Sequence, residues 1–327
     1  MNTASPTLPT VTAALHPLPP VDDDPRGLLP GIRTFALDMD GTVYLGERWI
    51  DGARDFLDRI AASGRDYLFL TNNSSKSPAV YVEKLARMGL SVPASRILTS
   101  GQATIWYLQR HFSGKKVFLL GNELLRAEFA QAGIALDDEH PDVVVTGFDT
   151  TLTYAKLCKV CDLVRAGLPY LATHPDYNCP TETGFVPDIG AIHAFIHASA
   201  FRWPDRVIGK PNADIVDYLL ERVAENRESV MDSGRAADHE SMADGARAAG
   251  HERTADGARA AGHERAAVSR ASIAMVGDRL YTDIAAGIHG GLRTILVLSG
   301  EATLDEAARS PFLPDLIYSS VARLALP

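Results

Sequence analysis

The run Thr34-Phe35-Ala36-Leu37 reads as a buried strand, and it leads straight into Asp38-Met39-Asp40-Gly41-Thr42. Side chains two apart on a strand point the same way, so Asp38 and Asp40 project together from its C-terminal end. Two carboxylates this close repel unless a cation or a raised pKa holds them. In open α/β sheets the C-terminal ends of the strands are where ligands bind. A chain that begins its sheet in this way needs later segments to deliver compensating groups to the same edge.

Those segments follow an alternating pattern. After Thr42, Val43-Tyr44-Leu45 and Trp49-Ile50 read as a short hairpin around Gly46. An amphipathic helix follows, with Phe56, Leu57, Ile60 and Ala61 on one face and Gly64 as its stop. Tyr67-Leu68-Phe69-Leu70 is a second buried strand, ending in Thr71-Asn72-Asn73-Ser74-Ser75. Ser77 is placed to cap a helix with Pro78 at its first position, Tyr81, Leu85 and Met88 inward, and Gly89 at its end. Strand alternating with helix predicts an α/β fold, a doubly wound parallel sheet covered on both faces. From about residue 103 the rhythm restarts, with strands at 117–120, 143–145 and 170–172 and helices at 123–131 and 154–165. We read 103–203 as a second, smaller α/β unit inserted into the first. The first unit then takes 29–102 and 204–327. Arg206-Val207-Ile208 is a strand of that first sheet, ending in Gly209-Lys210-Pro211. Ile273-Ala274-Met275-Val276 is another, ending at Gly277-Asp278 with Asp283 beyond, and 294–298 and 317–318 close the sheet.

Several stretches carry no chemistry. Residues 1–28, rich in Pro, Thr and Ala, show no period and read as a disordered tail, with Asp22-Asp23-Asp24 a solvated run. Cys158-x-x-Cys161 lacks a second ligand pair for zinc and lies mid-helix, away from the helix N-terminus that stabilises a redox thiolate. Both cysteines are expected buried. The segment 243–253 recurs as 255–265, and 231–241 resembles a worn third copy. From Asp232 to Ala267 there is no Ile, Leu, Val, Phe, Trp or Tyr, so 225–270 is expected to be a low-complexity, disordered insertion. His239, His251 and His263 recur in it, but their spacing does not line one helical face.

Composition narrows the function. Asp+Glu at 41 against Lys+Arg at 32 leaves a net charge of −9, which argues against a broad nucleic-acid surface. No run of about 18 apolar residues predicts a membrane span. The N-terminus lacks the basic and apolar regions of a secretory signal. Three cysteines in 327 residues fit a reducing cytoplasm. The charge does not exclude a small phosphorylated metabolite as partner, because a few local donors can hold a phosphate, and a homodimer is left open.

Four strand ends now carry polar groups: Asp38/Asp40, Thr71/Asn72, Lys210 and Asp278/Asp283. Together they supply what hydrolysis of a phosphate ester needs. Mg²⁺ takes hard oxygen ligands, for which Asp38 and Asp278 are suited. One carboxylate of the first pair can attack phosphorus, and Asp40 can protonate the leaving oxygen and later deprotonate water. The Thr71 hydroxyl and the Lys210 ammonium can hold the transferring oxygens and their charge.

The same residues resemble a known family. Asp38-Met-Asp40-Gly41-Thr42, Leu70-Thr71-Asn72-Asn73, Gly209-Lys210-Pro211 and Val276-Gly277-Asp278-Arg-Leu-Tyr-Thr-Asp283-Ile284 resemble the four motifs of the haloacid dehalogenase (HAD) superfamily. Thr99-Ser100, Ala172-Thr-His-Pro-Asp176, Leu296-Val-Leu-Ser-Gly300 and Pro311-Phe-x-Pro extend the resemblance to its NagD-like (class IIA) phosphatases. The resemblance implies a Rossmann-like core, a C2-type cap over 103–203 and Mg²⁺-dependent hydrolysis of phosphoric monoesters. It implies Asp38 as nucleophile and Asp40 as acid/base. The ion would be held by Asp38, the Asp40 main-chain carbonyl and Asp278, with Asp283 supporting. Gly41, Thr71, Asn72, Asn73, Lys210, His174 and Asp176 would bind phosphate or substrate. Departures from the family pattern fall in the cap, at His174, Cys179 and Pro187-Asp188-Ile189-Gly190. Expected substrates are sugar phosphates, glycerol or glycolate phosphates, nucleoside monophosphates and p-nitrophenyl phosphate. The alternatives are phosphoryl transfer to a second metabolite, as in a mutase, or an inactive phosphometabolite-binding protein.

Overall fold

The structure, a computed structural model, describes residues 15–181, 184–228 and 268–326. In chain order the elements begin with β1 (Thr34–Leu37), the hairpin β2 (Tyr44–Leu45) and β3 (Arg48–Trp49), and α1 (Ala53–Ala62). Then come β4 (Asp66–Thr71), α2 (Pro78–Arg87), β5 (Ile97–Thr99) and α3 (Ser100–His111). Next are β6 (Val117–Leu120), α4 (Glu123–Gln131), β7 (Val143–Thr146), α5 (Tyr154–Arg165) and β8 (Tyr170–Ala172). They are followed by β9 (Asn178–Thr181), β10 (Gly184–Pro187), α6 (Ile189–Ala200) and β11 (Arg206–Val207). A helix over 213–228, α7, comes next. The chain closes with β12 (Ile273–Gly277), α8 (Ala285–His289), β13 (Arg293–Val297), α9 (Leu304–Arg309) and β14 (Leu316–Tyr318).

Six strands form a parallel sheet in the order β14-β13-β12-β1-β4-β5. Every residue of β1 and β12 is buried, as expected for parallel strands covered on both faces. One face packs on α1 and α2 through Phe56, Leu57, Ile60, Tyr81 and Leu85. The other packs on α7 through Ile215, Val216 and Leu219 and on α8 through Ala286. The strand order reverses beside β1, and at such a switch point a crevice opens at the C-terminal ends. Leu37 is level with Val276 of β12 and Phe69 of β4, so Asp38, Asp278 and Thr71 all emerge at that crevice.

A second parallel sheet runs β11-β8-β7-β6. One of its faces is covered by α3 and α4, through Ile105, Leu108, Leu125 and Phe129. The other is covered by α5 and α6, through Val160, Cys161, Val164 and Ile196. Helix α3 serves both sheets, because its Ala103 packs into the core of the six-stranded one. A capping box at Thr99 and Gln102 fixes where α3 starts.

Several expectations are corrected. Arg206-Val207 pairs with β8 and so belongs to the smaller sheet, not to the sheet that carries Asp38. A short β-branched run bounded by Asp205 and Gly209 says strand, but nothing in it says which sheet. Residues 15–28 are not a free tail. His16 donates its N–H to the Ala308 carbonyl, Asp22 donates to Ile317, and Leu18 packs beside Ile284 and Ile317. Nor is the acidic triplet merely solvated: Asp22 accepts from Ser319, and Asp24 caps the amides of Leu28 and Leu29. Cys161 is buried but Cys158 is exposed. Ser77 stands at the start of α2 without a side-chain cap bond. The repeats and their histidines lie outside the described residues. Residues 225–228 continue α7, and Val268 packs on the core, so the insertion is shorter at both ends than expected. Helix α7 runs back along the sheet, bringing Arg227 to 3.5 Å from the Thr34 hydroxyl at the start of β1. Thr34 is level with Ile273, where the chain re-enters the sheet. Among the described residues no helix is long and apolar enough to cross a membrane.

The smaller sheet gives a pH-dependent prediction. His193 of α6 is buried, with Nε2 2.8 Å from the Thr146 hydroxyl, and burial lowers its pKa to about 3. In the unfolded chain it titrates near pH ~6.5. The unfolded state therefore binds the extra proton first, and stability present above that pH is lost as pH falls. Between pH 7 and 5 this one group should remove about 2 kcal/mol. Urea unfolding at the two pH values should show a correspondingly smaller loss in His193→Gln than in the unsubstituted protein.

Candidate active site

The crevice beside β1 collects acids first. Asp38 leaves β1, and its amide still bonds the Val276 carbonyl at 2.8 Å. Asp278 leaves β12, and Asp283 follows on a short helical turn over Leu280–Ile284. One carboxylate oxygen from each of Asp38, Asp278 and Asp283 lies within 4.8 Å of the other two. Burial pushes Asp278 up to about 6, with the Asp38 charge adding to it. Burial likewise pushes Asp283 up to about 7, against the pull of Lys210.

Lys210 supplies the counter-charge. Its Nζ is 2.5 Å from Asp38 Oδ1 and 2.6 Å from Asp283 Oδ1, and it donates to the Leu70 carbonyl at 3.1 Å. Burial alone would lower this ammonium, but Asp283 and Asp38 overcome it and hold the pKa above its ordinary value. The side chain arrives from the smaller sheet, whose last pairing extends as Gly209 N–H to the Thr173 carbonyl. Asn72 then pins it. Asn72 Oδ1 accepts the Lys210 amide at 2.8 Å, and Nδ2 donates to the Lys210 carbonyl at 2.9 Å. The fit leaves no room for a side chain at 209, where a Cβ would stand 2.6 Å from the Thr173 carbonyl and 2.7 Å from Asn72 Oδ1.

Asp40 is handled differently. Its carboxylate accepts no hydrogen bond among the described residues, and the nearest cation is Lys84, 4.0 Å away. Burial raises its pKa while Lys84 pulls the other way. Lys84 itself is seated 3.6 Å above the Tyr44 ring. Thr71 accepts the Asn73 amide at 3.1 Å, and Asn73 accepts from the amide and hydroxyl of Ser75, so the loop after β4 is a closed turn.

Of the expected site residues, Asp38, Asp40, Thr71, Asn72, Asn73, Asp176 and Lys210 line one cleft. Gly41 stands against Asp278, and Asp278 and Asp283 lie behind Asp38. His174 does not reach the cleft and is fully buried. Its Nε2 is 3.0 Å from Asp188 Oδ1 and its Nδ1 2.9 Å from the Thr173 hydroxyl, so it holds Asp188 rather than substrate. Its place after a buried strand gave no sign of this, because the partner lies across the β9–β10 hairpin. Sequence reading also missed Asn178, Asp188 and Arg279 as cleft residues. Arg279 directly follows Asp278 and could have been found from that position.

The site fits a divalent cation. The donors are hard oxygens, Asp278 Oδ2 is oriented by the Glu301 amide at 2.7 Å, and Thr42 reaches only 3.4 Å from Asp278 Oδ1. Gly41, at φ +89°, leaves the flank of Asp278 open: a Cβ there would fall 2.4 Å from Asp278 Oδ2. Both Asp283 oxygens are engaged, by Lys210 and by the Arg279 amide, which leaves Asp38 and Asp278 the freer pair.

Comparison with known proteins agrees with this geometry. A family model described as haloacid dehalogenase-like hydrolase matches residues 35–135, and a second, HAD-hydrolase-like, matches 207–324. An acid sugar phosphatase of Staphylococcus aureus (strain MRSA252) is 32% identical over 290 residues, 88% of this chain and 95% of its own length. The crystal structure of a 4-nitrophenylphosphatase from Thermotoga maritima superposes with a TM-score of 0.76 at 37% identity, covering 92% of this chain and 99% of that one. NagD from E. coli K-12 gives 0.71 at 30% identity, covering 90% and 99%.

Removing Lys210 tests the electrostatics directly. Lys210→Met leaves Asp38 and Asp283 without their buried partner, which should cost about 3–5 kcal/mol in denaturant unfolding with a chelator present. Adding a divalent cation should recover part of that loss in the variant.

Proposed function

The chain belongs to the haloacid dehalogenase-like hydrolases, and on that premise we propose that it is a Mg²⁺-dependent phosphatase of small phosphomonoesters. It is a hydrolase of phosphoric monoester bonds. The finer reading takes sugar phosphates, glycerol or glycolate phosphates, nucleoside monophosphates and p-nitrophenyl phosphate as its range. The smaller sheet and its helices act as a cap that closes the cleft over the substrate. The observation that carries the reading is the contrast between the two acids of the first strand end. Asp38 is clamped to a buried ammonium, whereas Asp40 has no hydrogen bond among the described residues.

The proposed roles follow from that contrast. Lys210 holds Asp38 in place, so a carboxylate oxygen can attack phosphorus. A P–O bond to Asp38 forms as the P–O bond to the leaving alcohol breaks. Asp40, whose pKa burial raises, is placed to pass a proton to that alcohol oxygen. The resulting acyl-phosphate is then hydrolysed. Asp40 takes a proton from water, the oxygen adds to phosphorus, and Asp38 is released as carboxylate with inorganic phosphate. Thr71 lines the cleft, where its hydroxyl can turn to donate to a phosphate oxygen. Asp38 and Asp278, with the Asp40 main-chain carbonyl, would hold Mg²⁺, and Asp283 supports them through Lys210. When bound, the ion supplies charge neutralisation for the acids and the transferring phosphoryl oxygens.

Activity against p-nitrophenyl phosphate tests the reading. Phosphate release should be lost with EDTA and restored by Mg²⁺. Asp38→Asn should lower the rate by about a thousandfold or more while the protein stays folded. Retained turnover in that variant would show that Asp38 is not the nucleophile.

A further inference from the structure

A second cavity, of about 530 Å³, opens beside the catalytic cleft and shares Asp176, Asn178 and Arg279 with it. It lies where the part of the substrate beyond the phosphate must go. Its walls come from both units: Tyr177 and Phe185 from the cap side, Tyr281 and Glu301 from the β12 and β13 ends of the larger sheet. Tyr177, Phe185 and Tyr281 are 55%, 68% and 53% exposed, so three aromatic rings present faces with nothing stacked on them among the described residues. Such a wall suits a ring-bearing group.

The charges of the cavity are already committed. Arg279 Nε is 2.8 Å from Glu301 Oε2, and its Nη1 is 3.9 Å from Asp176 Oδ2. Glu301 is held in turn by the Tyr281 hydroxyl, which donates to Oε1 at 2.8 Å. Two carboxyl groups therefore share one guanidinium, and the lining holds one more acid than it has cations. A leaving group with its own carboxylate would have to displace Glu301 from Arg279 or be buried against it, and either is unfavourable. A hydroxylated, uncharged group can instead donate to Glu301 and Asp176 while a ring lies on Phe185 or Tyr281.

We propose that Glu301, Arg279 and Tyr281 are specificity-determining residues that admit phosphomonoesters with uncharged, ring-bearing leaving groups and turn away those with anionic ones. The inference rests on the phosphatase reading and narrows its substrate range. It assigns the selection to the larger sheet as well as to the cap.

The test compares kcat/KM for glucose 6-phosphate, p-nitrophenyl phosphate and 2-phosphoglycolate, with glycerol 3-phosphate as a ringless reference. The first two should exceed the third by tenfold or more. Glu301→Gln should narrow that ratio at least fivefold by freeing Arg279 for the carboxylate. Arg279→Lys, which keeps the charge but not the two-sided contact, should also narrow it. Phe185→Ala should raise KM for the two ring substrates more than for glycerol 3-phosphate, which has no ring. A wild-type preference for 2-phosphoglycolate, or a ratio unmoved by Glu301→Gln, would overturn the inference while leaving the phosphatase reading intact. Phosphate release from none of the substrates would overturn that reading, and the inference with it.

Discussion

The Lys210 ammonium between Asp38 and Asp283 is the contact on which the rest of the structure depends. Three carboxylates cannot share a dry crevice at neutral pH without opposite charge. A six-stranded sheet that ended only in acids would be destabilised at its own switch point. The lysine removes that difficulty, yet it is not carried by the sheet that needs it. It comes from just beyond the last strand of the smaller sheet, so the two units are tied by charge at the crevice beside β1.

Asn72 makes this arrangement precise. A single side chain satisfies both backbone groups of Lys210 and donates to Asp176 at 3.1 Å. One residue at the end of β4 thus fixes the peptide that carries the counter-charge and touches the cap loop above it. A buried amide with all its partners supplied specifies geometry, because leaving any of them unmade is costly. The same logic separates the two acids of the first strand end. Asp38 is held by its partner, while the Asp40 carboxylate accepts no hydrogen bond among the described residues and faces the cleft with Lys84 4.0 Å away.

Much of this was legible in the sequence, because parallel strands buried on both faces announce themselves as apolar runs. Thr34–Leu37, Tyr67–Leu70 and Ile273–Val276 were visible for that reason, and the polar residues after them marked one edge. Less legible was anything that depends on which sheet a short strand joins. Arg206-Val207 was assigned to the wrong sheet, although Lys210 still reaches the right place. The strand Ile97–Thr99 and the paired strands Asn178–Thr181 and Gly184–Pro187 were not read as strands: the first is three residues long, and the pair is largely exposed with a proline in each strand. His174 lay near the site in sequence but points into the protein, and its partner Asp188 is supplied across that same hairpin. Contacts made between units leave no periodic trace in either segment.

The position of the repeated segment has a consequence for its length. Helix α7 passes beside Thr34 at Arg227, and the chain returns to the sheet at Ile273, level with that same residue. Both ends of the intervening stretch therefore meet at the edge of the sheet opposite Asp38 and Lys210. Closing a longer loop between fixed ends costs little, roughly 0.6 kcal/mol for each doubling of its length. A change in the length of that stretch therefore enters the sheet at the edge away from Asp38 and Lys210, whereas a substitution at their own edge disturbs the charges that hold them.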